Sequence, residues 1–189
     1  LLLLNNDTEM INDDCLNELL SYTERDDVGI TGARLLYEDN TVQHAGVVIG
    51  YNGLAGHTFV GNEPDDVGYR AYVIQARDYS AVTAACLMVK ASLYDEVGGF
   101  EEELEVAFND VDFCLKVREK GYLVVYNPYA VLHHYESKSR GYEDTPEKRN
   151  RFEKEASFTY NKWEKILADG DPCYNPNLTL SNSDFSLRE

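Results

Sequence analysis

The chain has 189 residues, 43% of them hydrophobic, and carries a formal net charge of −17 at pH 7. This length and hydrophobic content predict one sizeable folded domain, with room for an appendage, and exclude a disordered chain. The strong negative charge argues against binding to nucleic acid or to an acidic membrane, because most of the surface would repel either polyanion.

The four cysteines, Cys15, Cys86, Cys114 and Cys173, stand far apart, and no pair has the CxxC spacing. This distribution predicts buried free thiols in a reducing compartment rather than disulfide bonds or a zinc site. No segment has the pattern of a signal peptide or of a membrane span. The chain opens on the apolar run Leu1–Leu4 without an initiator methionine, so we expect it to be a fragment of a longer protein.

Strand and helix patterns alternate along the first half of the chain. The predicted elements are a buried strand at Leu1–Leu4, a helix from Asp13 or Asp14 to about Tyr22, strands at Val28–Tyr37 and Thr41–Gly50, and a central strand at Val82–Val89. A glycine-rich stretch at 51–61 and a polar loop at 65–79 separate the last two strands. Ser92 and Asp95 form a capping-box pattern, which predicts a short helix ended by Gly98-Gly99.

The second half continues the alternation. The predicted elements are an amphipathic helix within Val106–Gly121, strands at Tyr122–Tyr126 and Ala130–His134 on either side of Pro128, a helix from Thr145-Pro146 to about Ala168, and a polar tail from Asp171 that wraps on the surface. This order predicts an α/β sheet covered on both faces. The chain has no glycine-rich phosphate loop of either standard kind, which argues against a Rossmann dehydrogenase or a P-loop NTPase.

Three polar clusters follow apolar strands or open a helix, namely Asn5–Asp7, Asn109–Asp112 and His133-His134. Carboxylates and an imidazole at strand ends have the composition of a divalent-cation site with a nearby base. Each cluster also has a plainer interpretation. The first is then a polar turn, Asn109 or Asp110 is a helix cap, and the histidines are one core and one surface residue.

The remaining basic and imidazole side chains carry less information. Lys138 and Arg140 share a loop, where they either hold a phosphate or are simply solvated. His44 and His57 lie near glycines without the spacing of a metal-binding pair. The sequence therefore assigns these two histidines no role.

Five blocks of sequence carry a resemblance to a known family. In order they are LLLLNNDTE, TVQHAGVVIG with GLAGH, SAVTAACLMVKASLYDEVGGF, FNDVDFCLKVREKGY and HHYESKSRG. Their order and spacing resemble bacterial family 2 glycosyltransferases, which are GT-A-fold enzymes that build O-antigen, rhamnan and other surface polysaccharides. The segment EDTPEKRNRFEKEASFTYNKW and the tail DPCYNPNLTLSNSDFSL resemble the C-terminal extension of one subgroup.

The resemblance implies a fold and a division of the chain. The fold is a GT-A-like mixed, mainly parallel sheet flanked by helices, with the C-terminal part of the transferase domain at 1–141 and a C-terminal helix and wrapping tail at 142–189. Family members begin with a nucleotide-binding βαβ half that has no counterpart in this chain. We therefore expect the fragment to show little or no transfer by itself.

The resemblance also implies a role for each polar cluster. Asn5 and Asp7 fall at the family's DxD-type motif, which contacts the nucleotide sugar and its metal, and His134 matches a metal ligand at a strand end. Asp110 matches the catalytic base. Asn5 and Asn109 are neutral where the family pattern is acidic, which leaves Asp7 as the main metal or diphosphate residue.

Further positions take roles around this centre. Asn109 and Asp112 fall on the acceptor side, although helix capping is an equally open role for Asp112. Lys138 and Arg140 fall in a loop that closes over the diphosphate. The segment that lines the sugar pocket is matched by Thr83, Ala84, Ala85 and Cys86.

The implied function is transfer of a sugar, with inversion, from a nucleotide-diphosphate sugar to a hydroxyl of a glycan or lipid-linked glycan. The implied cofactor is Mg²⁺ or Mn²⁺, and the implied location is the cytoplasm, at the inner face of the cell membrane. Two alternatives stay open: a non-catalytic glycan- or partner-binding module on a degenerate GT-A fold, and a metal-dependent hydrolase. Asn5 and Asn109 favour the binding module, whereas Asp7, Asp110 and His134 together favour the transferase.

Overall fold

The computed structural model describes residues 1–135 and 145–188. The strands are β1 (Leu2–Leu4), β2 (Thr8–Met10), β3 (Val28–Leu36), β4 (Val42–His44), β5 (Val47–Ile49), β6 (Ala55–His57), β7 (Arg77–Asp78), β8 (Cys86–Val89) and β9 (Leu123–His134). The helices are α1 (Cys15–Thr23), α2 (Ala91–Glu96), α3 (Asn109–Glu119), α4 (Pro146–Lys162) and α5 (Glu164–Asp169). Single 3₁₀ turns occupy Tyr51–Gly53 and Tyr69–Ala71.

Seven of the described strands form the main sheet, in the order β1-β8-β3-β9-β2, with β4 paired to β3 and β7 paired to β9. Among these strands only the β3–β9 pair is parallel, and the others are antiparallel. The mixed α/β fold is confirmed, but the predicted mainly parallel sheet is wrong. The direction of a strand depends on how the chain returns to the sheet, which an apolar run such as Leu1–Leu4 does not encode.

Helices cover the sheet on both faces, as predicted. Along β3, Ala33 and Leu35 pack in a cluster with α1, whereas Ile30 packs in a larger cluster with α2 and α3. Gly29 lets α3 approach closely, because a Cβ atom there would lie 2.5 Å from Val117 Cγ1. The helix that carries Asp110 is thus fixed against the centre of the sheet.

The run Thr41–Gly50 is divided where a single strand was predicted. Gly46 has φ of +103°, and a Cβ atom at this residue would lie 2.4 Å from the ring of Tyr79. The chain therefore turns out of the main sheet between β4 and β5, and β5 pairs with β6 in a separate two-stranded sheet. This turn brings the end of β6, at His57, close to β4.

Pro128 does not interrupt β9, contrary to the prediction of two strands. The pairing of β9 with β3 shifts register between Asn127 and Val131, so the proline lies in a bulge that needs no ladder N–H. The buried Asn127 side chain stabilises this bulge, since its Nδ2 donates to Glu18 O at 2.9 Å and its Oδ1 accepts from Tyr129 N at 3.0 Å.

The predicted helix starts differ in accuracy. Thr145 caps α4 by accepting a hydrogen bond from Lys148 N, and Pro146 occupies the first turn, as predicted. The capping box at Ser92 is wrong, because α2 starts one residue earlier, after Lys90, and has no side-chain cap. No helix in the described part of the chain is both long and apolar enough to cross a bilayer.

The tail after α5 is more deeply packed than the predicted surface wrapping. Tyr174, Leu178 and Phe185 are buried in the same core as the sheet, and Phe185 stacks on Phe59 at 4.7 Å between ring centroids. The buried Asp171 carboxylate, whose pKa is raised by burial, accepts hydrogen bonds from Ile49 N, Ser80 Oγ and Cys173 N. The hydrophobic core therefore includes residues from both sides of the domain boundary predicted near residue 141. The division of the chain into 1–141 and 142–189 stays a prediction.

The cysteines are free thiols, as predicted, and this has a testable consequence. Burial raises the pKa of Cys15 to about 11 and of Cys86 and Cys173 to about 12, and it also raises the pKa of Cys114. We expect all four to react with a thiol reagent at pH 7.5 at least roughly 100-fold more slowly than a free cysteine, because the thiolate is the reactive species. Ellman titration before and after denaturation measures this, and rapid native labelling of any thiol would contradict it.

Candidate functional site

A cavity of about 790 Å³ lies between the end of β1, the start of α3 and the end of β9. The predicted site residues that line it are Asn5, Thr83, Ala84, Ala85, Asn109, Asp110 and His134. Asp7 does not line the cavity but contacts the lining residue His134, while Cys86 and Asp112 are buried outside the cavity lining. Lys138 and Arg140 lie outside the described residues. Most of the predicted site residues that the structure describes are therefore brought to one cleft.

Asn5 and His134 line the cavity, and Asp7 contacts His134. Antiparallel pairing of β2 with β9 sets Thr8 opposite His134, which brings the preceding turn against the imidazole. Asn5 Nδ2 lies 3.2 Å from His134 Nε2, and Asp7 Oδ1 lies 3.4 Å from the same nitrogen. The Asn5–Asp7 turn and the histidine of β9 thus form one polar group.

The buried Gln43 side chain on β4 orients His134. Gln43 Nε2 donates to the His134 carbonyl oxygen at 3.1 Å, so its Oε1 is the atom that lies 2.7 Å from His134 Nδ1. A carbonyl oxygen accepts only, and Nδ1 must therefore carry the proton. The lone pair of Nε2 then faces Asn5 and Asp7, which is the arrangement of a metal-ligating histidine held by a second hydrogen-bond partner.

These residues fit a divalent cation whose ligands come partly from the protein and partly from a substrate. A carboxylate, an imidazole and a side-chain amide suit Mg²⁺ or Mn²⁺, which also take phosphate oxygens and water. Within residues 1–135 and 145–188, no three His, Cys, Asp or Glu side chains form a metal-binding group. The protein side of such a site would therefore be Asp7, His134 and the amide of Asn5, with the remaining positions left to substrate and solvent.

Asp110, in the first turn of α3, also lines the cavity. Its Oδ2 accepts from Ala84 N at 3.2 Å, and its Oδ1 accepts from Val111 N at 2.8 Å. These bonds orient the carboxylate, yet each oxygen keeps a second lone pair for a substrate proton. The positive end of the helix dipole stabilises negative charge at this position.

The N-cap residue of α3 is none of the predicted candidates Asn109, Asp110 and Asp112, although Asp110 Oδ1 accepts from the first-turn N–H of Val111. The N-cap residue is Phe108, which has φ of +62° and makes no side-chain cap bond. An aromatic residue in the left-handed region is a strained conformation of the kind found at functional sites. Phe108 lines the cavity, and its ring packs on that of Phe152 of α4 with 5.5 Å between the ring centroids.

Asp112 is fully buried between α3 and the C-terminal helices, away from the cavity. Its Oδ1 accepts from Trp163 Nε1 at 2.9 Å and pairs with Lys162 Nζ at 2.8 Å. Lys116 Nζ lies 3.5 Å from its Oδ2. This position favours a structural role over the acceptor contact that the resemblance implies.

Sequence reasoning assigned no role to His44 and His57, which the structure places in the wall of the site. His57 lines the cavity, and its Nδ1 lies 3.2 Å from the Gln43 carbonyl oxygen. His44 is fully buried, meets His57 edge to face at 4.8 Å, and its Nε2 accepts weakly from Thr83 N at 3.4 Å. Burial, followed by the charges of His57 and His134, lowers the pKa of His44 well below its usual range. The quoted blocks TVQHAG and GLAGH contain both residues, but only the Gly46 turn brings them together.

The fold and the cleft define a mixed α/β protein with a carboxylate and an imidazole in the lining of one cavity. The chain is 50% identical over 186 residues to the uncharacterized protein y4gI of Sinorhizobium fredii, covering 98% of this chain and 20% of that protein. It is 38% identical over 192 residues to the O-antigen biosynthesis protein RfbC of Myxococcus xanthus, covering 100% of this chain and 14% of that protein.

A shorter similarity links the chain to the N-acetylglucosaminyl-diphospho-decaprenol L-rhamnosyltransferase of Mycobacterium tuberculosis, with 35% identity over 60 residues, or 32% of this chain and 20% of that protein. The chain thus spans about a fifth or less of the length of these curated relatives. No protein-family profile matches the chain.

Proposed function

We propose that this chain is part of a glycosyltransferase of bacterial surface-polysaccharide synthesis, with the GT-A fold of family 2. The observation that carries the proposal is that Asp110 and His134 line the same cavity, with Asp7 in contact with His134. The names of the O-antigen biosynthesis protein and the rhamnosyltransferase support the reaction class. In this proposal the reaction takes place in the cytoplasm, at the inner face of the cell membrane.

The proposed chemistry is a single displacement with inversion. Asp110 takes the proton of an acceptor hydroxyl while the hydroxyl oxygen attacks the anomeric carbon of the donor sugar, and the nucleoside diphosphate leaves. Asp7, His134 and Asn5 hold the diphosphate end of the donor, together with Mg²⁺ or Mn²⁺. The cation, when bound, neutralises the charge that develops on the leaving group.

The lining of the cavity supplies what this reaction needs from the protein. The Ala84 N–H orients the Asp110 carboxylate and so directs the base toward the acceptor. Thr83, Ala84 and Ala85 also line the cavity and form the proposed sugar pocket. Asn109 borders the cavity beside Asp110 and is the proposed acceptor contact.

A donor screen on the full-length protein tests the proposal. We expect one member of a panel of UDP-, GDP- and dTDP-sugars to release its nucleotide when a glycan acceptor is present. EDTA is expected to lower turnover on the order of 100-fold, because the leaving diphosphate loses charge neutralisation, and Mn²⁺ or Mg²⁺ to restore it. Turnover that EDTA leaves unchanged would refute the metal assignment, and the absence of turnover with every donor would refute the transferase.

A second candidate is a non-catalytic glycan-binding module. It is favoured by the neutral Asn5 and Asn109, which stand where the resembled family has acidic residues. Such a module would bind an oligosaccharide with no requirement for a nucleotide sugar or a metal. The same screen separates the two candidates, because a module binds glycan without releasing nucleotide.

A further inference from the structure

We propose that His57 recognises the transferred sugar, by accepting a hydrogen bond at Nε2 from one of its hydroxyl groups. The inference rests on the proposed function, and it concerns a residue to which the sequence assigns no role. His57 lies at the end of β6 and lines the cavity. Three observations support the assignment, concerning the tautomer of the ring, its contacts and its fixed position.

The Gln43 backbone determines the tautomer of His57. Its carbonyl oxygen lies 3.2 Å from His57 Nδ1, and a carbonyl oxygen can only accept a hydrogen bond. The proton of a neutral imidazole is therefore on Nδ1, and Nε2 carries a lone pair. A ring nitrogen of this kind pairs with a donor such as a sugar hydroxyl, whereas the oxygens of a diphosphate are acceptors and would be repelled.

Contacts link His57 to the proposed diphosphate residues and to the proposed sugar pocket. Gln43 bonds both His57 and His134. His44 packs on His57, and its Nε2 accepts from Thr83 N in the proposed sugar pocket. We therefore place the sugar of a donor whose diphosphate is held at His134 beside the His57 ring.

The surroundings of His57 hold its ring in one position. Its neighbour His44 is fully buried. The bond to Gln43 and the edge-to-face contact with His44 hold the ring of His57 in place before the sugar binds.

A matched pair of substitutions in the full-length protein tests the inference. In His57→Asn, the shorter amide can still donate to the Gln43 carbonyl oxygen, but it does not extend to the position of His57 Nε2. In His57→Gln, the longer side chain places a polar atom near that position again. With the donor identified by the screen, we expect His57→Asn to raise the KM for the nucleotide sugar about tenfold, the loss of one hydrogen bond. His57→Gln should recover part of this loss.

The nucleoside diphosphate alone is the control ligand. Its dissociation constant, measured by calorimetry with Mn²⁺, should be the same for the wild type and for His57→Asn, since the leaving group does not contact Nε2. A deoxy-sugar donor that lacks the recognised hydroxyl should bind both proteins equally.

The outcomes separate this inference from the proposed function. An unchanged KM in His57→Asn, or an equal loss of affinity for the nucleoside diphosphate, would overturn the role of His57 and leave the transferase standing. A wild-type protein that turns over no nucleotide sugar would overturn both. Thermal unfolding of the variants checks that a raised KM does not arise from a loosened β6.

Discussion

Replacing Asp110 with asparagine is expected to lower the turnover of the full-length enzyme by about 10²–10⁴-fold, the contribution of a general base. The amide oxygen can still accept a hydrogen bond from either Ala84 N or Val111 N, although not from both, because the amide nitrogen only donates. It cannot take the proton of the acceptor hydroxyl, however. Steady-state kinetics with the donor and acceptor from the screen measure this effect as a loss of kcat.

The control for this substitution is Asp13→Asn, which makes the same chemical change at an exposed position before α1. It should leave kcat unchanged. Binding of the nucleotide sugar should also be nearly the same in Asp110→Asn and in the wild type, because the proposed donor contacts lie at the His134 end of the cavity. Wild-type turnover in Asp110→Asn would exclude Asp110 as the base, and a lost donor affinity would move it to the donor site.

The elements that could be predicted are those whose pattern is local. The apolar face of α3, the Thr145-Pro146 start of α4 and the buried strand β3 each follow from residues within a few positions of one another. The predictions are wrong where residues distant in the sequence determine the local structure. Gly46 ends a strand because Tyr79 occupies the space beside it, and β9 passes through Pro128 because its bulge faces β3.

The site residues likewise include some that could be predicted from the sequence and some that could not. Asn5, Asp110 and His134 stand at the ends of predictable elements, and the resemblance implies their roles. Gln43 and His57 could not be assigned, because their contact depends on the turn at Gly46 and on the pairing of β5 with β6. No local period or motif encodes a hydrogen bond between a backbone carbonyl and a side chain fourteen positions later.

Asp112 shows how the same helix serves both chemistry and stability. Asp110 faces the cavity, whereas Asp112 points into the interface with α4 and α5, where it meets Trp163 and Lys162. A second contact lies nearby, since Glu155 Oε2 of α4 accepts from Ala107 N at 2.7 Å, just before α3. The C-terminal helices therefore hold the segment that presents the proposed base.

We expect Asp112→Ala to lower the free energy of unfolding by about 2–4 kcal/mol, because the substitution removes the ion pair of a fully buried carboxylate with the partly exposed Lys162 and leaves the indole N–H without its acceptor. Trp163→Phe should lower the free energy of unfolding by about 1–3 kcal/mol. The double variant should lower it by less than the sum of the two single effects, since both substitutions remove the same hydrogen bond. Urea unfolding measures all three.

The matched control is Asp169→Ala, which removes an exposed aspartate paired with Lys165 at the surface of α5 and should leave stability nearly unchanged. The result also separates a structural role of Asp112 from the acceptor contact that the resemblance implies. A structural residue lowers stability and, through the loosened start of α3, lowers kcat. An acceptor contact would instead leave the free energy of unfolding unchanged and raise the KM for the acceptor. That outcome would contradict the structural role that we assign to Asp112.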